Sequence, residues 1–295
     1  MNKLIRFYNQ NRYKIWIAIL SVVAIIAIIR VLNNFTYMKE DTNKNVGSIN
    51  NKSNNYSVIG GGKINSDITD VIIKFIDLCN NSQVQEAYEL LSRDCKEILY
   101  PNIEEFTQKY YNKIFSEKKS YTYQAWISQS SRYTYRIDFT ENMLITGKAA
   151  STSVVDYYTI VKEDDDYKIN INKFIGIDDI NSKESNSKIK INVKRKRIYI
   201  NYEIYDIEVK NNTSSPIIVG NIQDTDNIYI EDSDGKQFFW YNLGEEKENL
   251  TVEGWLSKEI SIKFNKEYSI TSIIDTIIFT GIETNNNLIN MSIEI

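Results

Sequence analysis

The sequence predicts a cone-like α+β domain of three helices on a curved antiparallel sheet, followed by an all-β sandwich and preceded by one transmembrane helix. Three observations carry this reading. An uncharged apolar run extends from Ile15 to Ile29, the apolar period switches from helical to alternating after Lys119, and the last third of the chain alternates throughout. At 295 residues with 42% hydrophobic and 25% charged residues, the chain has enough apolar material for real cores.

The apolar run "IWIAILSVVAIIAII" continues through Arg30 to Leu32. At the helical rise, residues 15–32 cover about 27 Å, enough for a thin bilayer if Arg30 snorkels to the interface. No small-residue cleavage site follows, which argues against a signal peptide. Residues 1–38 carry Lys3, Arg6, Arg12, Lys14 and Arg30 and no acid, so the remainder holds a net −9 of the chain's −4. This asymmetry keeps residues 1–14 in the cytoplasm and sends residues 33–295 across: a bitopic protein of the cell membrane with an extracytoplasmic body. The acidic body has no concentrated basic face, so nucleic acid is not an expected partner.

Residues 33–66, rich in Gly, Ser, Asn and Lys, read as a flexible tether. The first domain, 67–180, opens with a helix capped by Asp67, in which Val71, Ile72, Phe75, Ile76 and Cys79 form one stripe. Ser82-x-x-Gln85 reads as a capping box for a second helix, with Val84, Ala87, Leu90 and Leu91 inward. Pro101 and Asn102 start a third, with Ile103, Phe106, Tyr110 and Ile114 inward. Then "SYTYQAWISQ", "RYTYRIDFT", "MLITGKAAST", "SVVDYYTIVKED" and "DYKININKFIG" alternate as strands, with Asp164 to Asp166 as the last hairpin turn. A polar linker, 181–188, leads to a sandwich over 189–295, where short alternating segments such as "NIYIEDSDGKQFFWYN" are separated by turn residues.

The stretch "ITDVIIKFIDLCNNSQVQEAYELLSRDCKEIL" and the closing "YYTIVKEDDDYKININKFIG" resemble nuclear transport factor 2-like domains over about residues 67–178. The segment "YDIEVKNNTSSPIIV" looks like immunoglobulin-like modules of bacterial surface proteins. The first resemblance implies a fold that serves enzymes, small-molecule binders and interaction domains alike.

The chain has no histidine, which removes the commonest general base, the commonest metal ligand and every imidazole triad. Asp232-Ser-Asp234-Gly235 lacks the glutamate of a calcium loop and reads as a hairpin turn. Ser116-x-x-Lys119 and Ser187-x-x-Lys190 have no companion motifs, so no catalytic residue, cofactor or metal is expected. Cys79 and Cys95 leave three states open: a disulfide closing a 17-residue loop and worth about 3 kcal/mol, two reduced core thiols, or a reactive thiol. If the cone holds a pocket, Tyr121, Tyr123, Tyr133, Tyr135, Tyr157 and Tyr158 are its candidate lining.

Two functions follow. The architecture is similar to bitopic assembly factors of secretion and conjugation machines, which implies a non-enzymatic, membrane-anchored interaction or scaffold protein of the bacterial envelope with protein partners. The alternative is an extracytoplasmic protein that binds a small molecule, lipid or cell-wall fragment on the concave sheet face, or a pocket enzyme of the isomerase or hydratase type.

Overall fold

A computed structural model describes residues 56–58, 66–129, 131–141, 154–220, 225–241, 250–285 and 287–295. Helix α1 (Ser66–Asn80) forms on the expected stripe and buries Ile68, Ile72, Phe75, Ile76 and Cys79. It ends in a Schellman closure: the N–H of Gln83 donates to Leu78 O at 2.9 Å and that of Ser82 to Cys79 O at 3.1 Å. Ser82 stands in the left-handed region at φ 59°, so it terminates α1. It does not cap the next helix as the sequence suggested.

Helix α2 (Val84–Glu89) is short because the chain after it joins the sheet. Ile169 N–H donates to Leu90 O, and Ser92 N–H donates to Ile169 O, each at 3.0 Å. Ser92 then caps α3 (Arg93–Ile98) by accepting from Cys95 N–H at 2.9 Å. The single expected second helix is thus two. Asn102 caps α4 (Ile103–Phe106) as expected. A π-helical turn, Thr107–Tyr111, follows and leads into α5 (Asn112–Ile114).

These runs cover one face of a five-stranded sheet in the order β1 (Tyr56–Val58), β2 (Lys119–Gln129), β3 (Arg132–Glu141), β4 (Val154–Glu163), β5 (Asp166–Asn170). All its pairs are antiparallel except β1 with β2. A bulge between Ala125 and Ile127 extrudes Trp126 to the far face. Strand β6 (Phe174–Ser185) leaves this sheet and becomes the edge of a second one, ordered β13 (Ser257–Phe264), β8 (Glu203–Asn211), β7 (Ile189–Tyr199), β6. The stretch 181–185, expected as linker, is therefore paired strand.

The third sheet runs β11 (Gln237–Phe239), β10 (Ile228–Asp232), β14 (Ile274–Thr284), β9 (Ile217–Ile218), β12 (Thr251–Val252), with β15 (Asn287–Glu294) on β14. It packs on the second sheet through one apolar core, which includes Ile191, Tyr205, Ile207, Ile230, Phe264, Ile277 and Phe279. Between the two cores lies a small cluster of Ile175, Ile198, Ile200 and Tyr268, against which Ile127 and Tyr157 pack. The described residues belong to one compact unit.

The expected fold class is corrected in two respects. Strand dominates: among the described residues three sheets stand against five α-helices, of which only α1 exceeds six residues, because the stripe-forming segments after α1 are interrupted by Ser92 and by the π turn. Among the described residues no helix is long and apolar enough to cross a membrane, which overturns the membrane-spanning, bitopic description as a property of this fold. The span expected at 15–32 and the tail at 1–14 lie outside the described residues, as does the 33–66 tether apart from β1 and Ser66.

Among the described residues one ion pair is fully inside. Lys266 Nζ lies 2.8 Å from Glu203 Oε1, both side chains are 3% exposed, and Tyr205 Oη donates to Glu203 Oε2 at 2.8 Å. This ties the connection after β13 to the start of β8. Lys266→Met leaves the Glu203 carboxylate buried without its cation, and denaturant unfolding should show a loss of about 3–5 kcal/mol. Adding Glu203→Gln should recover part of that loss.

Candidate functional site

Strand register places the candidate tyrosines on one or the other face of the first sheet. Tyr121 pairs with Phe139, Tyr123 with Ile137, Ile137 with Asp156, Tyr135 with Tyr158 and Tyr133 with Ile160. Alternation then puts Tyr121, Tyr123, Tyr133, Tyr135 and Tyr158 on the helix-facing side, with Asp156 among them. Tyr157 faces the other way, where its ring meets that of Trp126 edge-on at 5.0 Å. Five of the six candidate lining residues converge and the sixth does not.

They fill the cone. Tyr121, Tyr123, Tyr135 and Tyr158 are buried, and Tyr133 packs against the same core. Phe75 from α1 meets Tyr158 edge-on at 5.6 Å, and Phe115 meets Phe139 at 5.5 Å. Phe106 stacks on Tyr110 at 5.9 Å. The side chains occupy the space that a ligand would need.

Sequence reasoning missed the polar centre of this core. Asp156 is 4% exposed, and its two carboxylate oxygens accept four hydrogen bonds. Oδ1 takes the N–H groups of Tyr157 at 2.7 Å and Lys173 at 3.0 Å; Oδ2 takes Tyr110 Oη at 2.9 Å and Asn172 N–H at 3.1 Å. Tyr110 and Tyr158 hydroxyls lie 2.7 Å apart. Asn172 and Lys173 sit at φ 58° and 63°, so their consecutive N–H groups converge on the carboxylate as an anion nest. Burial raises the Asp156 pKa above the ordinary carboxylate value, against the lowering effect of these donors. Burial likewise drives the Tyr110 and Tyr158 hydroxyls well above theirs. With its acceptor positions saturated and Tyr158 wholly buried, the cluster anchors the turn before β6 and offers no basic lone pair to a substrate. A single acid on the inward period of "SVVDYYTIV" was the signal available in the sequence.

Both cysteines are free and buried. Desolvation pushes the Cys95 thiol up to about 12, and Cys79 is raised for the same reason. Nucleophilic thiol chemistry is thereby disfavoured.

The remaining motifs resolve as turns. Asp232 accepts from Asp234 N–H at 3.1 Å, Lys236 N–H at 2.9 Å and Ser272 Oγ at 2.6 Å, with Gly235 at φ 77°, so D-x-D-G is a hairpin turn. The Ser272 hydroxyl and these N–H groups lower the Asp232 pKa. Asp164 is likewise a turn residue at φ 52°. Among the described residues no cluster of three metal-ligating side chains occurs. Ser116 and Ser187 are exposed in bends.

Two surface features of the described residues lie on the sandwich. An open groove of about 600 Å³ on the outer face of the second sheet is lined by Lys194, Arg195, Arg197, Asp206, Glu259 and Ser261, among others. Its charges are mutually engaged. Asp206 accepts from Arg195 at 3.0 Å, Arg197 at 2.6 Å and Ser261 at 2.7 Å, which hold its carboxyl below the usual range despite partial burial. Arg195 also reaches Glu97 of α3 at 2.7 Å. The second feature is apolar. Trp255 is 67% and Leu256 57% exposed on the turn between β12 and β13. The turn closes by Leu256 N–H to Glu253 O at 3.1 Å with Trp255 at φ 62°, the third-position conformation of a type II turn that favours glycine. A bulky residue there costs about 1–2 kcal/mol, and an exposed indole recovers little of it through packing.

Comparison with family models, curated proteins and solved structures found no match. The likenesses to nuclear transport factor 2-like and immunoglobulin-like domains therefore rest on the quoted residues alone.

Two outcomes follow for the buried groups. A thiol reagent at pH 8 should find no reactive cysteine in the native chain and two after unfolding in denaturant; one or more fast native thiols contradicts the packing. For Asp156, a raised folded pKa means the native state holds the proton more tightly than the unfolded chain. Its contribution is then greatest below the unfolded value of about 3.9 and falls as pH rises through the folded value. The cost of Asp156→Asn in urea unfolding should accordingly shrink as pH rises across that window.

Proposed function

We propose that this chain is a non-enzymatic interaction protein, a rigid β-rich scaffold that works by presenting its surface to protein partners. The observation that carries this reading is the filled space between the first sheet and the helices that cover it. Tyr121, Tyr123, Tyr135 and Tyr158 occupy the helix-facing side of the sheet, and the acid among them, Asp156, is committed to four internal donors. A pocket enzyme or small-ligand carrier on this face would need an open volume of a few hundred Å³ with a polar group free to meet the ligand. Among the described residues the most exposed large apolar groups stand on the sandwich, where a partner surface can reach them: Trp255, Leu256, Ile273 and Leu288 are each more than half exposed.

A thermal-shift screen of the full chain against lipids, cell-wall fragments and small apolar molecules tests this reading. A ligand at a hundred times its Kd adds about 2.7 kcal/mol, roughly 5–10 °C in Tm for a fold of this size. The expected result is no such shift. A fragment that raises Tm by that amount, with the rise lost in Tyr158→Phe or Asp156→Asn, overturns the interaction reading in favour of a cone ligand.

A further inference from the structure

The second sheet is interrupted at one level in two neighbouring strands. In β6, Ile180 and Asn181 stand between the pairings of Asp179 with Arg195 and of Ser182 with Val193. In β7, Lys194 stands between the pairings of Val193 with Ile207 and of Arg195 with Asp206. Ile180 packs on the sandwich core, while Asn181 takes the left-handed region at φ 60°. Lys194 reaches across the outer face to Glu208 and Glu259. Adjacent bulges break the regular ladder and re-aim side chains, and the open groove of about 600 Å³ lies over them. Part of its lining is committed: Arg195, Arg197, Asp206 and Ser261 hydrogen-bond one another. Asp179, Asn181 and Asn192 line the same groove with no side-chain hydrogen bond or ion pair to any described residue. Asp179 and Asn181 are exposed and Asn192 is half-buried, so a ligand can reach all three.

We propose that this groove binds a neutral, hydroxyl-rich glycan chain. A sugar hydroxyl donates and accepts at once. It therefore suits a wall that offers the Asp179 carboxylate as acceptor and the Asn181 and Asn192 amides as both. The Lys194 ammonium adds donors, since it has three and hydrogen-bonds only Glu259. The charges of the lining oppose a polyanion: Lys194, Arg195 and Arg197 are matched in number by Asp179, Asp206 and Glu259, which leaves no net positive field to draw phosphate or sulfate. An added peptide strand is opposed as well, because β7 is already paired on both sides, with β6 and β8. The volume falls within the range of about 300–1,000 Å³ for small-ligand sites, and an open groove lets a chain run through it. The stems of Lys194 and Arg195 offer methylene surface to the C–H groups of the rings. The site lies apart from the filled space of the first domain, so it adds a ligand class beyond the interaction reading.

Isothermal titration calorimetry of the full chain tests it, in a mild detergent without a sugar headgroup because of the apolar run at 15–29. The probes are chitotetraose, cellotetraose and maltotetraose, with dextran sulfate as the anionic comparison. At least one neutral tetrasaccharide should bind with millimolar or tighter affinity that changes little with salt. Asn181→Gly suits the left-handed position, so it should keep or raise Tm while weakening that binding by at least about tenfold. Asp179→Ala and Asn192→Ala should weaken it similarly at unchanged Tm. Binding of none of the three neutral probes overturns the proposal and leaves the groove a surface ion network only. Binding of dextran sulfate alone, lost at high salt, overturns it in favour of a polyanion. Neutral binding indifferent to all three substitutions also overturns it, because the site then lies elsewhere in the chain. A chain held this weakly, at concentrations near its Kd, adds much less stability than the ligand screen registers. Binding that persists in Tyr158→Phe and is lost in Asn181→Gly belongs to the groove; the reverse pattern belongs to the first domain and bears on the interaction reading instead.

Discussion

The carboxylate of Asp156 fixes the direction in which the chain leaves its first sheet. Two of its four donors are the successive N–H groups of Asn172 and Lys173, both in the left-handed region, and that pair turns the backbone from β5 into β6. Only a few residues separate the last pairing of β5, at Asn170, from the first pairing of β6 with β7, at Phe174. Tyr110, lowered from the helical layer by the π turn, closes the carboxylate from the opposite side. Helices, first sheet and the entry to the sandwich therefore share one buried polar anchor. Such an anchor is stable only when every acceptor is satisfied.

Around that anchor the interactions divide by solvent access. The buried Lys266–Glu203 pair is dry and hydrogen-bonded to Tyr205, so losing one partner strands a charge. Pairs such as Lys109–Glu105 or Arg93–Glu163 have exposed members and contribute about 0.2–1 kcal/mol each. The Asp206 network lies between these extremes, half-buried and joined by Arg195 to Glu97 of α3. It helps seat the helical layer on the sandwich together with Arg132, whose guanidinium reaches Asp178 at 2.8 Å and Ile177 O at 2.6 Å. Gly176 makes room for that guanidinium: a Cβ there would come within 3.0 Å of it.

Period was legible in the sequence and register was not. The stripe of α1, the Asn102 cap and the alternating strands follow from side-chain spacing, which a single segment contains. The ends of elements depended on distant partners. Ser82, marked as a cap by its spacing to Gln85, was drawn into the closure of α1, and Ser92, which the spacing did not single out, caps α3 where β5 stops the chain beside it. The tyrosine faces needed the Ala125–Ile127 bulge and the β3–β4 pairing, neither of which alternation reveals. The polar stretch 181–185 carries the composition of a linker, yet cross-strand partners in β7 make it strand. The nest around Asp156 is built from residues distant in sequence, so its chemistry was visible only as one acid in an apolar period. Asn211-Asn-Thr213 matches a glycosylation sequon, but the buried Asn211 side chain already bonds two carbonyls.

Strand β6 is the covalent crossing from the helical layer to the sandwich, and it is hydrogen-bonded to β7 from Phe174 to Ser185. A crossing made of loose loop would let the two parts swivel. Here a load applied to the helices meets a paired ribbon whose near end is clamped at Asp156 and whose far end is an edge of the second sheet. The paired ribbon resists bending within the sheet plane, so the crossing acts as a stiff strut and not as a free hinge.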